Sequence, residues 1–126
     1  PFDVQKGSPV AIQNIYHPEL GCNWMGVGGQ VMDMSGGPVI GMIIKLGGVL
    51  PGVRIPEHLT SLTGVALNYG RAGYEVKLAD TPVASNQSLW VQLLSQSGVP
   101  LSKEIYFDTF ESCDKNLIIV NFKQIR

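Results

Sequence analysis

Along much of the chain apolar residues alternate with polar ones in short runs, and glycine or proline closes each run. Tyr74, Val76 and Leu78 alternate with Glu75 and Lys77 across 73–78, the period of a strand with one wet face and a core face on the Tyr74 side. Residues 26–34 predict a strand, Ser35-Gly36-Gly37-Pro38 a turn and 39–46 a second strand, so the two are expected to form a hairpin. Gly47-Gly48 ends that pair. Residues 49–61, with Pro51 and Pro56, read as a loop or distorted edge, because proline has no N–H for a ladder. A strand over 88–94, a turn at Ser97-Gly98-Val99-Pro100 and a strand over 101–107 come next. The last strand, 116–124, carries the unbroken apolar run 117–120, which predicts a mid-sheet position with both faces covered. No window of about 12 residues sustains a helical stripe. With 10–16 as one further strand the expected fold is an all-β, seven- or eight-stranded β-sandwich of Ig-like or transthyretin-like size.

Two stretches, 31–39 and 93–101, share a plan of apolar strand end, polar turn, Gly-x-Pro and new apolar strand. Converging turn chemistry accounts for the echo without duplication.

The length of 126 residues suits one domain. Only 15% of residues are charged, against about 25% in an average chain, so the surface carries little charge. Nine Lys and Arg balance ten Asp and Glu to a net charge of -1, and no basic run appears, which excludes a nucleic-acid partner. The longest apolar runs, 39–46 and 117–120, fall far short of the roughly 20 residues of a membrane span, so none is expected. A start at Pro1, with neither Met nor a signal-peptide pattern, is expected of a processed mature protein or of a piece of a longer one. Cys22 and Cys113 are too far apart for a C-x-x-C motif. A structural disulfide, two unrelated buried thiols and a catalytic thiol stay open; the disulfide is preferred for an exported chain.

Gly29-Gln30-Val31-Met32-Asp33-Met34-Ser35-Gly36-Gly37-Pro38-Val39-Ile40-Gly41, continuing to Leu46, resembles the opening hairpin of carboxypeptidase regulatory-like domains, which have a transthyretin-like (prealbumin-like) sandwich. Leu62-Thr63-Gly64 and Gly73-Tyr74-Glu75-Val76 resemble that family's second half. The resemblance implies the fold and is nearly silent on function, since such domains serve secreted and cell-surface proteins as folding, docking or adhesive modules. The stretches from Cys22 to Val27 and from Ser112 to Leu117 are similar to extracellular modules of filamentous environmental bacteria, in which one Cys opens the first core strand and another precedes the last. That similarity implies a Cys22–Cys113 staple at one end of the sandwich. It also implies a body at 22–126 and an N-terminal extension at 1–21. Closing so long a loop stabilises by at most roughly 4 to 5 kcal/mol in the chain-entropy picture.

Candidate chemistry is thin. His17, beside Pro18, and His58, in the proline-bearing loop, are expected to be solvent-facing. The C-terminal Tyr-Arg-Gly-Ser signature of the related hydroxyisourate hydrolases is replaced by Phe122-Lys123-Gln124-Ile125-Arg126. The two-Tyr, two-His iron set of intradiol dioxygenases cannot be read in the chain, and Gly-x-Ser-x-Gly is absent. Cys22 and Cys113 flank strands as staples do, so no catalytic residue and no cofactor are expected. Asp33, Asp80, Asp108, Glu111 and Asp114 are scattered rather than grouped as calcium ligands, so no metal is expected either. Gly26-Val27-Gly28-Gly29 precedes no helix and marks a bulge or a close strand approach. Trp24 and Trp90 are expected in the core, Tyr69 as an exposed surface contact, and Asn86-Gln87-Ser88 matches a glycosylation sequon.

The extension admits two readings. It is an edge strand or linker of its own sandwich, or it adds to the next copy through Val10, Ile12, Ile15 and Tyr16 and builds a head-to-tail filament. The expected function is a non-enzymatic extracellular, cell-surface structural or adhesive module that partners itself. The alternatives are a module binding a surface polysaccharide through Tyr69, and an accessory domain of a larger secreted enzyme.

Overall fold

Alternation of β-branched and aromatic residues with small or polar ones yields ten short strands, and a computed structural model describing every residue from Pro1 to Arg126 places them in two sheets. They are β1 (Phe2–Val4), β2 (Val10–Ile12), β3 (Met25–Met32), β4 (Ile43–Gly48), β5 (Leu59–Leu62), β6 (Gly73–Ala79), β7 (Ser85–Leu94), β8 (Ile105–Thr109), β9 (Leu117–Ile119) and β10 (Phe122–Gln124). Single 3-10 turns occur at Leu67–Tyr69 and Cys113–Lys115. The protein is an all-β, two-layer sandwich.

In the first sheet β3 pairs antiparallel with β6 on one side. On its other side it receives β9 and then β10, both parallel. Outside these, β2 pairs with β9 and β1 with β10, both antiparallel, so two broken strands each share one lane. The second sheet is the antiparallel series β5-β4-β7-β8. Inward residues of the two sheets, including Met25, Val27, Ile44, Leu46, Tyr74, Leu89, Leu93, Phe107, Ile118 and Phe122, form one buried cluster. Each of the large ones contributes about 1.5 to 3 kcal/mol by leaving water. Tyr74, Val76 and Leu78 face this core, as their alternation requires.

The expected hairpin between 26–34 and 39–46 does not form: β3 and β4 belong to different sheets. Its turn closes, with Asp33 N–H donating to the Gly37 carbonyl at 2.8 Å and Val39 N–H to the Val31 carbonyl at 2.9 Å. Pairing then stops at the single bridge between Met32 and Pro38. Pro38 has no N–H to give, and Gly41, at φ +86°, redirects the chain. Thr63 catches it from the second sheet, accepting from Met42 N–H and donating to the Val39 carbonyl. Crossing over lets Ile44 and Leu46 face β3 across the core instead of lying beside it.

The sequence echo is one turn built twice. Ser95 N–H donates to the Val99 carbonyl and Leu101 N–H to the Leu93 carbonyl, both at 2.8 Å; Leu94 bridges Pro100, and Gly98 repeats the +86° φ of Gly36. From this second turn the chain returns within the same sheet, although its strand begins only at Ile105.

Other differences have local causes. The expected loop over 49–61 ends in edge strand β5. The strand expected over 10–16 stops at Ile12, and beyond it the side chain of Asn14 takes over the hydrogen bonding. The strand expected over 116–124 does lie inside a sheet but is interrupted: the Val120 carbonyl accepts the Tyr74 hydroxyl at 2.6 Å, and the Asn121 side chain accepts from Gln30 N–H at 2.9 Å. Trp90 is not a core residue. Leu89, Val91 and Leu93 take the inward positions of β7, so strand alternation sends Trp90 to the outer face, over Gly47.

In the first turn the Asp33 carboxylate accepts from Gly37 N–H, Ser35 N–H and the Ser35 hydroxyl. The Gly37 amide, then the Ser35 hydroxyl, hold its pKa below the ordinary value. A depressed carboxylate pKa stabilises the fold above the ordinary range, and that contribution is lost as pH falls through and below it. In the second turn the Ser95 hydroxyl does the equivalent work, accepting from Val99 N–H. Asp33→Ser is therefore expected to keep the fold and reduce the loss of stability on acidification, measured by urea unfolding across a pH series. An unchanged pH slope would contradict this account.

Candidate functional site

Outward positions on β3 are held by Gly26 and Gly28, and the missing side chains leave a trench on the outer face of the first sheet. The Trp24 ring lies where a Cβ at 26 would sit, and the Tyr69 ring where a Cβ at 28 would sit. With Leu117 they form a second apolar cluster, roofed by Ile12, Tyr16, Ala66 and Ile119. The Gly-rich run is thus a close-approach site, and β3 also changes register between Met25 and Gly26.

Tyr69 is only 8% exposed, which overturns its expected role as a surface contact. The 3-10 turn points its ring into the trench, Tyr16 lies against it with centroids 4.4 Å apart, and its hydroxyl donates to Glu75 at 2.7 Å. Glu75, on the outer face of β6, also lies 2.7 and 2.8 Å from His17 Nε2. His17 is accordingly half-buried and tied down rather than a free loop residue, and its ring lies 5.1 Å from that of Trp24.

Two asparagines do the deeper tying. Asn14 N–H donates to the Asn116 side chain at 2.8 Å, and the Asn14 side chain accepts from His17 N–H and donates to the His17 carbonyl. The Asn116 amide donates to the carbonyls of Gly21 and Trp24, both at 3.0 Å. Both residues are buried with their hydrogen bonds made, an arrangement costly to disturb. Beside them Cys22 and Cys113 are joined by a disulfide with Cα atoms 5.0 Å apart. Residues 14 to 24 are therefore fastened at three points to β6, to Asn116 and to the turn before β9.

The four expected assembly residues divide at this boundary. Val10 and Ile12 lie in β2, paired with Ile119 and Leu117. Ile15 is 57% exposed just beyond it, and Tyr16 is fixed against Tyr69. Of the 1–21 segment, β1 and β2 form the outer lane of the first sheet beside β10 and β9. Beside β2 runs an open groove of about 390 Å³, walled by Val10, Ala11, Tyr106, Phe110 and Lys115, between the unpaired edges of β2 and β8.

Chemically the His17, Glu75 and Tyr69 group is a tie. The carboxylate takes both partners, and no nucleophile stands against the imidazole. Nowhere do three or more His, Cys, Asp or Glu side chains gather as a metal site would need. Of the scattered acids, Asp80 pairs with Lys77, Asp108 accepts from Gln87, and Asp33 caps its own turn. No helix is long and apolar enough to cross a membrane. The ties through Asn14, His17, Glu75 and Asn116 escaped sequence reasoning because the partners lie 102 and 58 positions apart.

Compared with family models, curated proteins and solved structures, the chain matches none. Its fold and site define a disulfide-stapled β-sandwich with a rooted N-terminal arm.

Two outcomes test this site. Replacing both cysteines with serine is expected to cost about 2 to 5 kcal/mol in denaturant unfolding and to expose 14–24 to protease; an unchanged midpoint would show the staple to be idle. The second concerns tyrosines. Burial, then the hydrogen bond to Glu75, raises the Tyr69 pKa, and burial alone raises that of Tyr74. Neutral phenols with raised pKa stabilise the fold fully below about pH 10, where unfolded tyrosine ionises, and that contribution is lost as pH climbs further. In alkaline absorbance titration these two should ionise only as the protein unfolds, and Tyr69→Phe should remove part of the alkaline loss of stability. Smooth ionisation of all four tyrosines with the fold intact would refute this.

Proposed function

We propose that the protein is a non-enzymatic extracellular structural module, of the carboxypeptidase regulatory-like type, that assembles head to tail by exchanging its N-terminal arm. One observation carries this reading: no residue from Pro1 to Gln13 is fully buried, whereas Asn14 is, and from Asn14 to Trp24 the chain is fastened. The arm is held mainly by main-chain pairing of β1 with β10 and of β2 with β9, with Phe2, Val4 and Ala11 only half-buried against the core. The edge of β2 away from β9 is uncovered, since the groove there is open, and of the arm Ile12 alone reaches the second apolar cluster. Another copy's arm can make the same bonds, so exchange exposes no new surface and needs only a hinge at the exposed Gln13. Repeated from copy to copy in one direction, the contact builds a chain. The disulfide supports an extracellular setting, where it would persist, and keeps the root in place while the arm moves.

Register gives the test. Asp3 lies opposite Lys123 at the outer edge of the sheet, so Asp3→Cys with Lys123→Cys places two reactive thiols across the arm contact. A short bis-maleimide, applied over a range of protein concentrations, is expected to give a ladder of covalent oligomers that grows with concentration. Without cross-linker, the unsubstituted chain should show the same concentration-dependent oligomers by size-exclusion chromatography, and deletion of residues 1–13 from it should leave only monomer. Internally cross-linked monomer at every concentration would sink the proposal.

A further inference from the structure

The outer face of the second sheet is not the polar surface expected of a sandwich. Its side chains fall in three rows across the strands. Leu62, Ile43 and Leu94 form one, Thr60, Lys45 and Gln92 the next, and Gly47, Trp90 and Tyr106 the third. In the third row Gly47 is the floor: a Cβ there would collide with the indole, so Trp90 lies against the bare backbone of β4. Trp90 belongs to neither apolar cluster. Its direct cross-strand neighbour Tyr106 is 43% exposed and oriented by a 3.1 Å hydrogen bond from its hydroxyl to Glu104.

From this row we infer a carbohydrate-binding strip, in which Trp90 and Tyr106 receive the C–H faces of consecutive sugar rings in a neutral, extended, equatorially linked polysaccharide. Directly opposite residues stand about 5 Å apart, so the two rings make a strip two residues wide that suits successive units of a flat sugar chain. The surroundings favour sugar over protein. Equatorial hydroxyls project sideways from a pyranose ring, and polar groups stand along both sides of the strip. On one side are Lys45, which makes no ion pair, Gln92, whose amide nitrogen is bonded to Ser102 and whose oxygen is open, and Glu104. On the other is Asp108, which uses one carboxylate oxygen on Gln87 and leaves the second open. The Lys45 and Gln92 row also separates the aromatics from Leu62 and Ile43, so the apolar rows do not merge into one patch of the kind a protein partner covers. One cation set among two carboxylates favours no charged ligand. Tyr106 and Asp108 also stand at the groove beside β2, but their hydrogen bonds go to Glu104 and Gln87 rather than to the arm, and Trp90 does not line that groove, so Trp90→Ala separates the two proposals.

Native affinity electrophoresis tests it with three gel-borne polymers, hydroxyethylcellulose, xylan and β-1,4-mannan. The wild-type chain is expected to be retarded by at least one of them. Trp90→Ala and Tyr106→Ala should each weaken binding roughly tenfold, the scale of losing one aromatic contact, while Trp90→Phe retains most of it. Thermal unfolding of each variant verifies the fold, and Tyr106→Ala answers the question if Trp90→Ala fails to fold. No retardation by any of the three, equal retardation of wild type and folded aromatic variants, or loss of self-association in Trp90→Ala would each overturn the inference, the last by assigning this face to a second copy.

Discussion

The first sheet depends on how closely other groups can approach β3. This strand is paired on both sides, by β6 and by the parallel β9–β10 lane. Two outward glycines turn its far face into a trench for Trp24 and Tyr69. At Gly29 a Cβ would strike the Val120 carbonyl, the group that takes the Tyr74 hydroxyl where the last strand breaks. A side chain at any of these positions would push away a ring or a neighbouring strand. Overpacking of that kind typically costs about 1 to 3 kcal/mol.

That constraint sets the unusual distribution of apolar side chains. A sandwich buries one face of each sheet, but here the outer face of the first sheet holds a small core of its own, sealed by the loop from Asn14 to Trp24 and the turn at Leu67–Tyr69. Sealing that loop makes a root, and a root makes an arm of the segment before it. The second sheet solves the outer-face problem differently, with one glycine under Trp90. One face is closed and holds a tether; the other is open and offers rings.

The two copies of the Gly-x-Pro turn show how little a turn decides. Residues 33–37 and 95–99 make equivalent main-chain bonds, yet one sends the chain across the sandwich and the other returns it to the same sheet. The residues beyond the turn decide: Gly41 and the grip of Thr63 on Val39 and Met42 in the first case, the anchoring of Ser102 to Leu93 N–H in the second. Charge has little part in the architecture, in keeping with a chain that is only 15% charged.

Strand content, the core faces of β6 and of the last strand and the close approaches at the Gly-rich run were legible from the chain, because alternation and turn chemistry are local properties; the disulfide was expected for an exported chain and had only one possible pairing, since the chain has two cysteines. The sheet to which each strand belongs was not, and the hairpin expected at 26–46 fails for that reason: pairing is decided by which partners bury Ile44 and Leu46, not by the turn between them. Tyr69 and Trp90 carry the same lesson in opposite directions. A loop position suggested exposure for Tyr69 and an apolar strand suggested burial for Trp90, but the space left by Gly28 took one ring in and strand alternation turned the other out. Side-chain type and spacing are written in the sequence; which empty space a side chain meets is settled only when distant glycines and strands come together.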